Sequence, residues 1–134
     1  MNTLLPPFNF KTHRTLHLDK LRVQASVGIL PHELTTKQPL LISLKLRLAA
    51  TPLVPAKDEV SEVLDYRRAR QIAIDAATSG HINMLETLSG LICQQLLQLP
   101  NVEAAKVRVD KPNIFPDCDG VGVEVSAEKV SVAL

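Results

Sequence analysis

Four polar residues suit proton transfer or the binding of a polar ligand, and each stands in or beside a loop or at an end of a predicted element: Glu33, Tyr66, Glu86 and Lys111. A glutamate carboxylate accepts paired N–H donors, while lysine and tyrosine can carry protons. Whether these side chains can act together depends on the helices and strands that position them.

Glu86 lies in the first turn of a helix predicted over Asn83–Leu99 and ended by Pro100. The apolar residues of this helix recur at helical spacing: Leu85, Leu88, Ile92, Leu96 and Leu99. Asn83 and Glu86 have the spacing of a capping pair. Glu86 therefore either only caps its helix or is an ionised carboxylate that binds paired N–H donors of a ligand.

The other three residues have ordinary structural interpretations beside the chemical ones. Lys111 ends a strand in which Ala105, Val107 and Val109 alternate with polar residues, and it shares the parity of the apolar ones. A lysine placed so either extends to water or lines a cavity. Glu33 lies in a predicted loop, where a carboxylate is ordinarily solvated. Tyr66 begins a second predicted helix, with Asp65 as its N-cap, and would ordinarily pack with its hydroxyl in water.

The periodicity of the chain predicts the order strand, strand, helix, helix, strand, strand. The strands are predicted over Leu21–Ile29, Leu40–Leu48, Ala105–Lys111 and Val121–Ala127, and the helices over Tyr66–Ser79 and Asn83–Leu99. Residues 58–64 fit a short helical turn or a loop equally. Consecutive strands in each pair predict an α+β fold, with an antiparallel sheet and both helices on one face. Such a sheet has long edge strands, which a closed oligomer would cover by sheet extension.

Composition narrows the class of protein. The chain has 134 residues, 46% of them hydrophobic, which suits one domain with one core. Its net charge is +1, with no Trp and one Tyr, so a nucleic-acid-binding face is not expected. Residues 1–15 are expected to be a flexible N-terminal extension, and residues 16–134 a single domain.

The expected location is the cytoplasm. Met1–Arg14 lacks the apolar run of a signal peptide, and no segment approaches the ~18 apolar residues of a membrane span. Cys93 and Cys118 are not in a C-x-x-C arrangement, which favours a reduced, intracellular protein.

In order and spacing, short motifs of this chain resemble those of dihydroneopterin aldolases, over about Leu16–Lys129. The motifs are Gly28 with Glu33 and Gln38, then Leu64-Asp65-Tyr66, Asn83-Met84-Leu85-Glu86, Val107-Arg108-Val109-Asp110-Lys111-Pro112 and Asp119-Gly120-Val121-Gly122-Val123-Glu124. Each motif is weak alone, but together they are specific. The long start Met1–Thr15 and the loop Ile114-Phe115-Pro116-Asp117 depart from the common pattern.

The resemblance implies the tunnelling fold (T-fold): ββααββ, with a four-stranded antiparallel sheet that joins across subunits into a ring. It implies a homotetramer or homo-octamer with active sites at subunit interfaces. It also implies retro-aldol cleavage of 7,8-dihydroneopterin into 6-hydroxymethyl-7,8-dihydropterin and glycolaldehyde, in folate biosynthesis. The dihydropterin carries its own C=N electron sink, so no metal or other cofactor is expected.

The resemblance also implies a role for each site residue. Glu86 would accept the two N–H groups of the pterin's amino-pyrimidinone edge, with the backbone amide of Leu85 beside it. Lys111 would be the general acid and base, acting through a water, and Glu33 would pair with that water or with Lys111. Tyr66 would come from the chain across the interface, and would position the substrate side chain or make the last proton transfer.

Two alternatives stay open. The 2′-epimerase of dihydroneopterin triphosphate shares the fold and these polar positions, and Arg67, Arg68 and Arg70 would either bind a triphosphate or form a solvated helix face. A non-catalytic pterin-binding T-fold protein is the other alternative. The zinc-dependent pterin synthase of this fold is not expected, because the histidines lack paired H-x-H spacing: His13, His17, His32 and His81.

Overall fold

The computed structural model of the protein describes residues 10–131. Four strands and three α-helices follow one another as β1 (Arg14–Ala25), α1 (Pro31–Thr35), β2 (Gln38–Leu48), α2 (Tyr66–Thr78), α3 (Leu85–Leu97), β3 (Val102–Lys111) and β4 (Val121–Glu128), with a 3₁₀ turn over Val60–Glu62 before α2. The strands form one antiparallel sheet in the order β1-β2-β3-β4. The predicted ββααββ architecture is confirmed, with α1 as an additional short helix.

One face of the sheet packs on α2 and α3, and the core lies between these two layers. The inward residues of β2 and β3 alternate with exposed ones, as the period of a strand requires. The predicted apolar stripe of α3 is confirmed, since Leu88, Ile92 and Leu96 are fully buried. Burial of one such side chain contributes roughly 1.5–3 kcal/mol. The buried side of α2 is small and lets the helix approach the sheet closely: Ala69, Ala73, Ala76 and Ala77.

The first strand differs from its prediction at both ends. It begins at Arg14, inside the segment assigned to the extension, and it ends at Ala25 instead of Ile29. The alternation of apolar residues continues past Ala25, but Val27 leaves the sheet and forms a parallel bridge with Ile82. Most of the predicted extension, residues 1–9, lies outside the described residues.

The start of α3 also differs from its prediction. The helix begins at Leu85 with Met84 at the N-cap, and no side chain caps it. Asn83 precedes the cap position, so the predicted capping pair of Asn83 and Glu86 is wrong. For α2, by contrast, the Asp65 carboxylate accepts the Arg67 N–H at 3.0 Å, as the N-cap prediction requires.

The sheet has two edges, β1 and β4, and both are strands of at least eight residues.

Across residues 10–131 the helices are too short or too polar to cross a membrane.

Candidate active site

An ion pair between Glu33 and Lys111 joins α1 to the end of β3. Lys111 Nζ lies 2.6 Å from Glu33 Oε2, and the side chains are 13% and 3% exposed. Buried carboxylates and ammonium groups are costly unless paired. The fold therefore buries these two charges together, as a pair.

The helix α1 places the Glu33 carboxylate, although the sequence predicted a loop here. Leu30 is the N-cap, and its N–H donates to Glu33 Oε1 at 3.3 Å, which is half of a capping box. The Gln38 amide donates to Glu33 Oε2 at 2.9 Å and to the Val27 carbonyl at 2.8 Å. A solvated carboxylate is thus the wrong expectation for Glu33, because three donors and a turn of helix hold it inside.

The same contacts set the charge of the carboxylate. Burial opposes ionisation, but hydrogen bonds from Lys111, Gln38 and the Leu30 backbone, together with the charge of Lys111, outweigh it and lower the pKa of Glu33 from 4.5 to about 2. Glu33 is therefore ionised throughout the physiological pH range.

Gly28 provides the space that this carboxylate occupies. Its φ of +122° lies where side chains are rarely tolerated, and a Cβ atom there would overlap the carboxyl group of Glu33. The glycine is thus required twice, once by its backbone conformation and once by the close approach of Glu33.

The bridge at Ile82 brings the first turn of α3 to this loop. The Gly28 N–H donates to the Ile82 carbonyl at 3.0 Å, and the Ile82 N–H donates to the Ser26 carbonyl at 3.1 Å. Leu85 and Glu86 begin α3 directly afterwards. The Leu85 N–H lies in the first turn and has no partner within the helix, while the Glu86 side chain is exposed to solvent. A polar ligand that bridged these groups would meet an acceptor and a donor side by side.

Tyr66 lies away from the pair in the same chain. It is the first residue of the 13-residue helix α2, which ends at Thr78, shortly before the bridged Ile82. A helix of this length spans about 20 Å, so the ring is at its far end. The side chain is 66% exposed. The structure thus unites Glu33 and Lys111, bridges the loop before Glu33 to Ile82 shortly before Leu85 and Glu86, and places Tyr66 at the other end of α2.

Within residues 10–131, several cavities border the sheet. One of about 310 Å³ is lined by Gln38, Leu30 and Phe115 and lies next to the Glu33 cluster. Another of about 470 Å³ is lined by Lys45 and Lys106, whose side chains project from the face of the sheet that carries no helices. The described part of the chain holds no group of three His, Cys, Asp or Glu residues that would suit a metal ion.

The family model for dihydroneopterin aldolase (FolB) matches residues 16–126, which include every residue of this site. The chain belongs to the dihydroneopterin aldolase family. Its similarity to curated family members extends over most of its length. It is 35% identical over 95 residues to a dihydroneopterin aldolase of Methylorubrum extorquens, covering 70% of this chain and 72% of the relative. It is 25% identical over 114 residues to a dihydroneopterin triphosphate 2′-epimerase of Pseudomonas aeruginosa, covering 85% and 92%.

Solved structures of the dihydroneopterin aldolase family share the fold. One is the crystal structure of the enzyme from Burkholderia thailendensis bound to guanine, whose sequence is 34% identical to this chain. The alignment covers 88% of this chain and 93% of that chain, with a TM-score of 0.77. The E. coli enzyme in complex with neopterin, at 18% identity, covers 85% and 98% with a TM-score of 0.74 and agrees in fold.

Three residues have contacts at or beside the site that the sequence did not predict: Gly28, Gln38 and His81. Gly28 and Gln38 stand five residues before and after Glu33, and that equal spacing was the available signal. His81 contacts both Ser26 and Gly28, from which it is 55 and 53 residues distant. No local pattern marks a contact between residues so far apart.

Proposed function

We propose that this dihydroneopterin aldolase family member cleaves 7,8-dihydroneopterin into 6-hydroxymethyl-7,8-dihydropterin and glycolaldehyde. The observation that carries the proposal is the buried Glu33–Lys111 pair at the end of β3, in which Glu33 follows a loop that is bridged to Ile82 shortly before α3. A pair of this kind can hold a proton carrier in a fixed position.

Glu86 and Leu85 would bind the pterin ring. The exposed Glu86 carboxylate suits the two adjacent N–H groups of the amino-pyrimidinone edge, which is a bidentate arrangement. The Leu85 N–H, without a partner in its helix, suits a ring acceptor.

The cleavage itself needs only proton transfers. Loss of the proton from the 2′-hydroxyl lets its oxygen form the C=O of glycolaldehyde while the C1′–C2′ bond breaks. The electron pair of that bond passes to C1′ and into the adjoining ring C=N. Return of a proton to C1′ restores the C=N and completes the hydroxymethyl product. The reaction as proposed uses no metal or other cofactor.

Lys111 would move these protons through a water molecule, and Glu33 would hold its amino group. The 2.6 Å contact fixes Nζ at the end of β3. Since Glu33 also accepts from Gln38 and the Leu30 N–H, it remains an anchor while Lys111 exchanges protons.

The site would be completed by a second copy of the chain. Tyr66 lies about 20 Å of helix away from the bridged loop, so it would reach a Glu33–Lys111 pair only in a neighbouring subunit. The open edges β1 and β4 suit extension of the sheet between chains. We therefore propose a homotetramer or homo-octamer of cytoplasmic enzyme, with Tyr66 from one subunit at the site of the next.

Mixing two inactive variants tests this shared site. Tyr66→Phe and Lys111→Ala chains would be unfolded together, refolded as a mixture and assayed. Random assembly would give about a quarter of the sites both intact side chains, and activity would return. If each site belonged to a single chain, the mixture would be as inactive as its components.

The epimerase of dihydroneopterin triphosphate is the second candidate, and the similarity to the Pseudomonas aeruginosa enzyme favours testing it. The arginines beside Tyr66 give limited support. Arg67 is bound by the Asp65 carboxylate through contacts as short as 2.6 Å, while Arg68 and Arg70 are exposed. A triphosphate that bound here would compete with Asp65 for Arg67 or would bind at Arg68 and Arg70.

A product assay decides between these reactions. The protein would be incubated with 7,8-dihydroneopterin and, separately, with its triphosphate, and the products separated by chromatography. The proposal requires equal amounts of glycolaldehyde and hydroxymethyl-dihydropterin from the first substrate, and their absence with Lys111→Ala. An epimeric triphosphate as the sole product would support the second candidate. If neither substrate gave a product, the remaining candidate would be a non-catalytic pterin-binding protein.

A further inference from the structure

His81 connects two segments of the site without belonging to either. Its Nε2 lies 2.9 Å from the Gly28 carbonyl oxygen, and its Nδ1 lies 2.6 Å from the Ser26 hydroxyl. Both partners precede the Glu33 helix, while His81 itself immediately precedes Ile82 and the start of α3. The imidazole thus spans the junction between the proton-carrying pair and the ring-binding turn.

The partners define the hydrogen-bonding arrangement of the ring. A carbonyl oxygen only accepts, so Nε2 donates to Gly28. In the neutral ring Nδ1 is then an acceptor, and the Ser26 hydroxyl donates to it. Both nitrogens are therefore engaged, and the ring cannot rotate without losing both bonds.

The hydrogen bond from His81 restrains the backbone at Gly28, which as a glycine has the greatest conformational freedom in this loop. Gly28 has no Cβ, and its φ is +122°. Its N–H is already held by Ile82, but its carbonyl belongs to the following peptide group, which leads into α1 and Glu33. Fixing that carbonyl fixes the direction in which the chain leaves Gly28, and hence the position of the Glu33 carboxylate that packs on it.

We propose that His81 is a positioning residue, which holds the Glu33–Lys111 pair in alignment with Leu85 and Glu86 by binding the Gly28 carbonyl. This inference rests on the proposed function, because it assigns chemistry to the pair and ring binding to the turn. His81 itself touches neither the pair nor, by this proposal, the substrate. Its loss should impair the alignment of the two halves and leave each half intact.

The first test compares His81→Phe with His81→Gln. Phenylalanine keeps the ring volume and removes both polar atoms, while glutamine retains one donor and one acceptor. We expect His81→Phe to lower kcat by about tenfold or more, since small misplacements of catalytic groups are costly. Affinity for an oxidised pterin that cannot be cleaved should change by less than about threefold. His81→Gln should recover kcat to within about threefold of the parent chain.

A second measurement follows the backbone directly. Hydrogen–deuterium exchange should accelerate in residues 26–34 of His81→Phe and remain unchanged in the middle of α3. His17→Phe removes a histidine from β1 on the face away from the helices and is the matched control, with parental kcat and exchange expected. If His81→Phe fails to fold, Ser26→Ala removes only the partner of Nδ1 and should give a smaller effect of the same kind.

The possible results separate this inference from the function on which it rests. Parental kcat in His81→Phe, equal losses of kcat and pterin affinity, or no recovery with His81→Gln would overturn the positioning role. If His81→Phe does not fold and Ser26→Ala is used in its place, a parental kcat in Ser26→Ala would also overturn the positioning role. If the parent chain cleaves no dihydroneopterin, the proposed function fails, and exchange in residues 26–34 still shows whether His81 holds the loop.

Discussion

Replacing Lys111 by methionine should destabilise the protein at neutral pH, because it removes the cation beside a carboxylate that is 3% exposed. Glu33 would keep the Gln38 amide and the Leu30 N–H as donors, but would lose the 2.6 Å bond from Lys111 and its charge. Methionine retains most of the side-chain volume. We expect the free energy of unfolding to fall by about 3–5 kcal/mol, the usual cost of removing one partner from a buried ion pair.

The pH dependence of stability measures the combined effect of all the groups around the Glu33 carboxylate, of which Lys111 is one. The pKa of Glu33 is about 2 in the folded chain against an ordinary 4.5. Since the folded-state pKa is the lower one, this stabilisation is complete above about pH 4.5 and is lost as the pH falls through about 2. At about 1.4 kcal/mol per pH unit, the difference corresponds to about 3.5 kcal/mol. Without Lys111 the pKa of Glu33 should rise, and the loss should occur at a higher pH.

The assay is urea unfolding followed by circular dichroism, at one protein concentration and at several values between about pH 2 and pH 8. Lys106→Met, on the exposed face of the same strand, is the matched control and should stay within about 0.5 kcal/mol of the parent chain. A stabilising ion pair would be contradicted if Lys111→Met unfolded within about 1 kcal/mol of the parent chain at pH 7 and lost stability over the same acid range.

Three further substitutions test the site. Gly28→Ala should lower kcat about a hundredfold or more, because its Cβ would displace the Glu33 carboxylate, whereas Gly90→Ala, at an open helical position, should leave steady-state kinetics unchanged. Glu86→Gln should weaken pterin affinity about thirty- to a thousandfold in equilibrium titration, since an amide must turn its NH₂ toward a ring donor at a cost of roughly 2–4 kcal/mol; normal affinity would reduce Glu86 to a helix-end residue. Lys111→Ala should keep pterin affinity within about tenfold but lower the single-turnover rate by about 10²; an unchanged rate would remove Lys111 from the chemistry.

The parts of the fold that the sequence predicted are those with a local cause. The stripe of α3 follows from apolar residues three and four apart, and Asp65 caps α2 by accepting from the Arg67 N–H two residues later. The end of β1 was mispredicted because Val27 continues the alternation of a strand while its partner is Ile82, far along the chain. Asn83 has the composition of a cap, but α3 begins too late for it to serve as one.

In the candidate site too, features with a local cause were predictable and features set by distant residues were not. Lys111 was placed on the inward side of its strand by parity alone, and the structure gives it a buried partner 78 residues away. The burial of Glu33 was not predictable from its own segment, since Pro31 to Thr35 is too short for a helical period to show. The proposed role of Tyr66 depends on a second chain, which the pattern of one chain does not describe.

The hydrogen bond between His81 and Gly28 also has a consequence for how the protein folds, because it closes a loop of 53 residues. The entropy lost on closing such a loop amounts to about 3.5 kcal/mol, and contacts between distant residues form later than local ones. The β1–β2 and β3–β4 hairpins and the two long helices need no such closure. We expect a refolding chain to regain its far-UV circular dichroism before its catalytic activity. During that interval the molecule would have its two hairpins and its helices but no carboxylate beside its lysine.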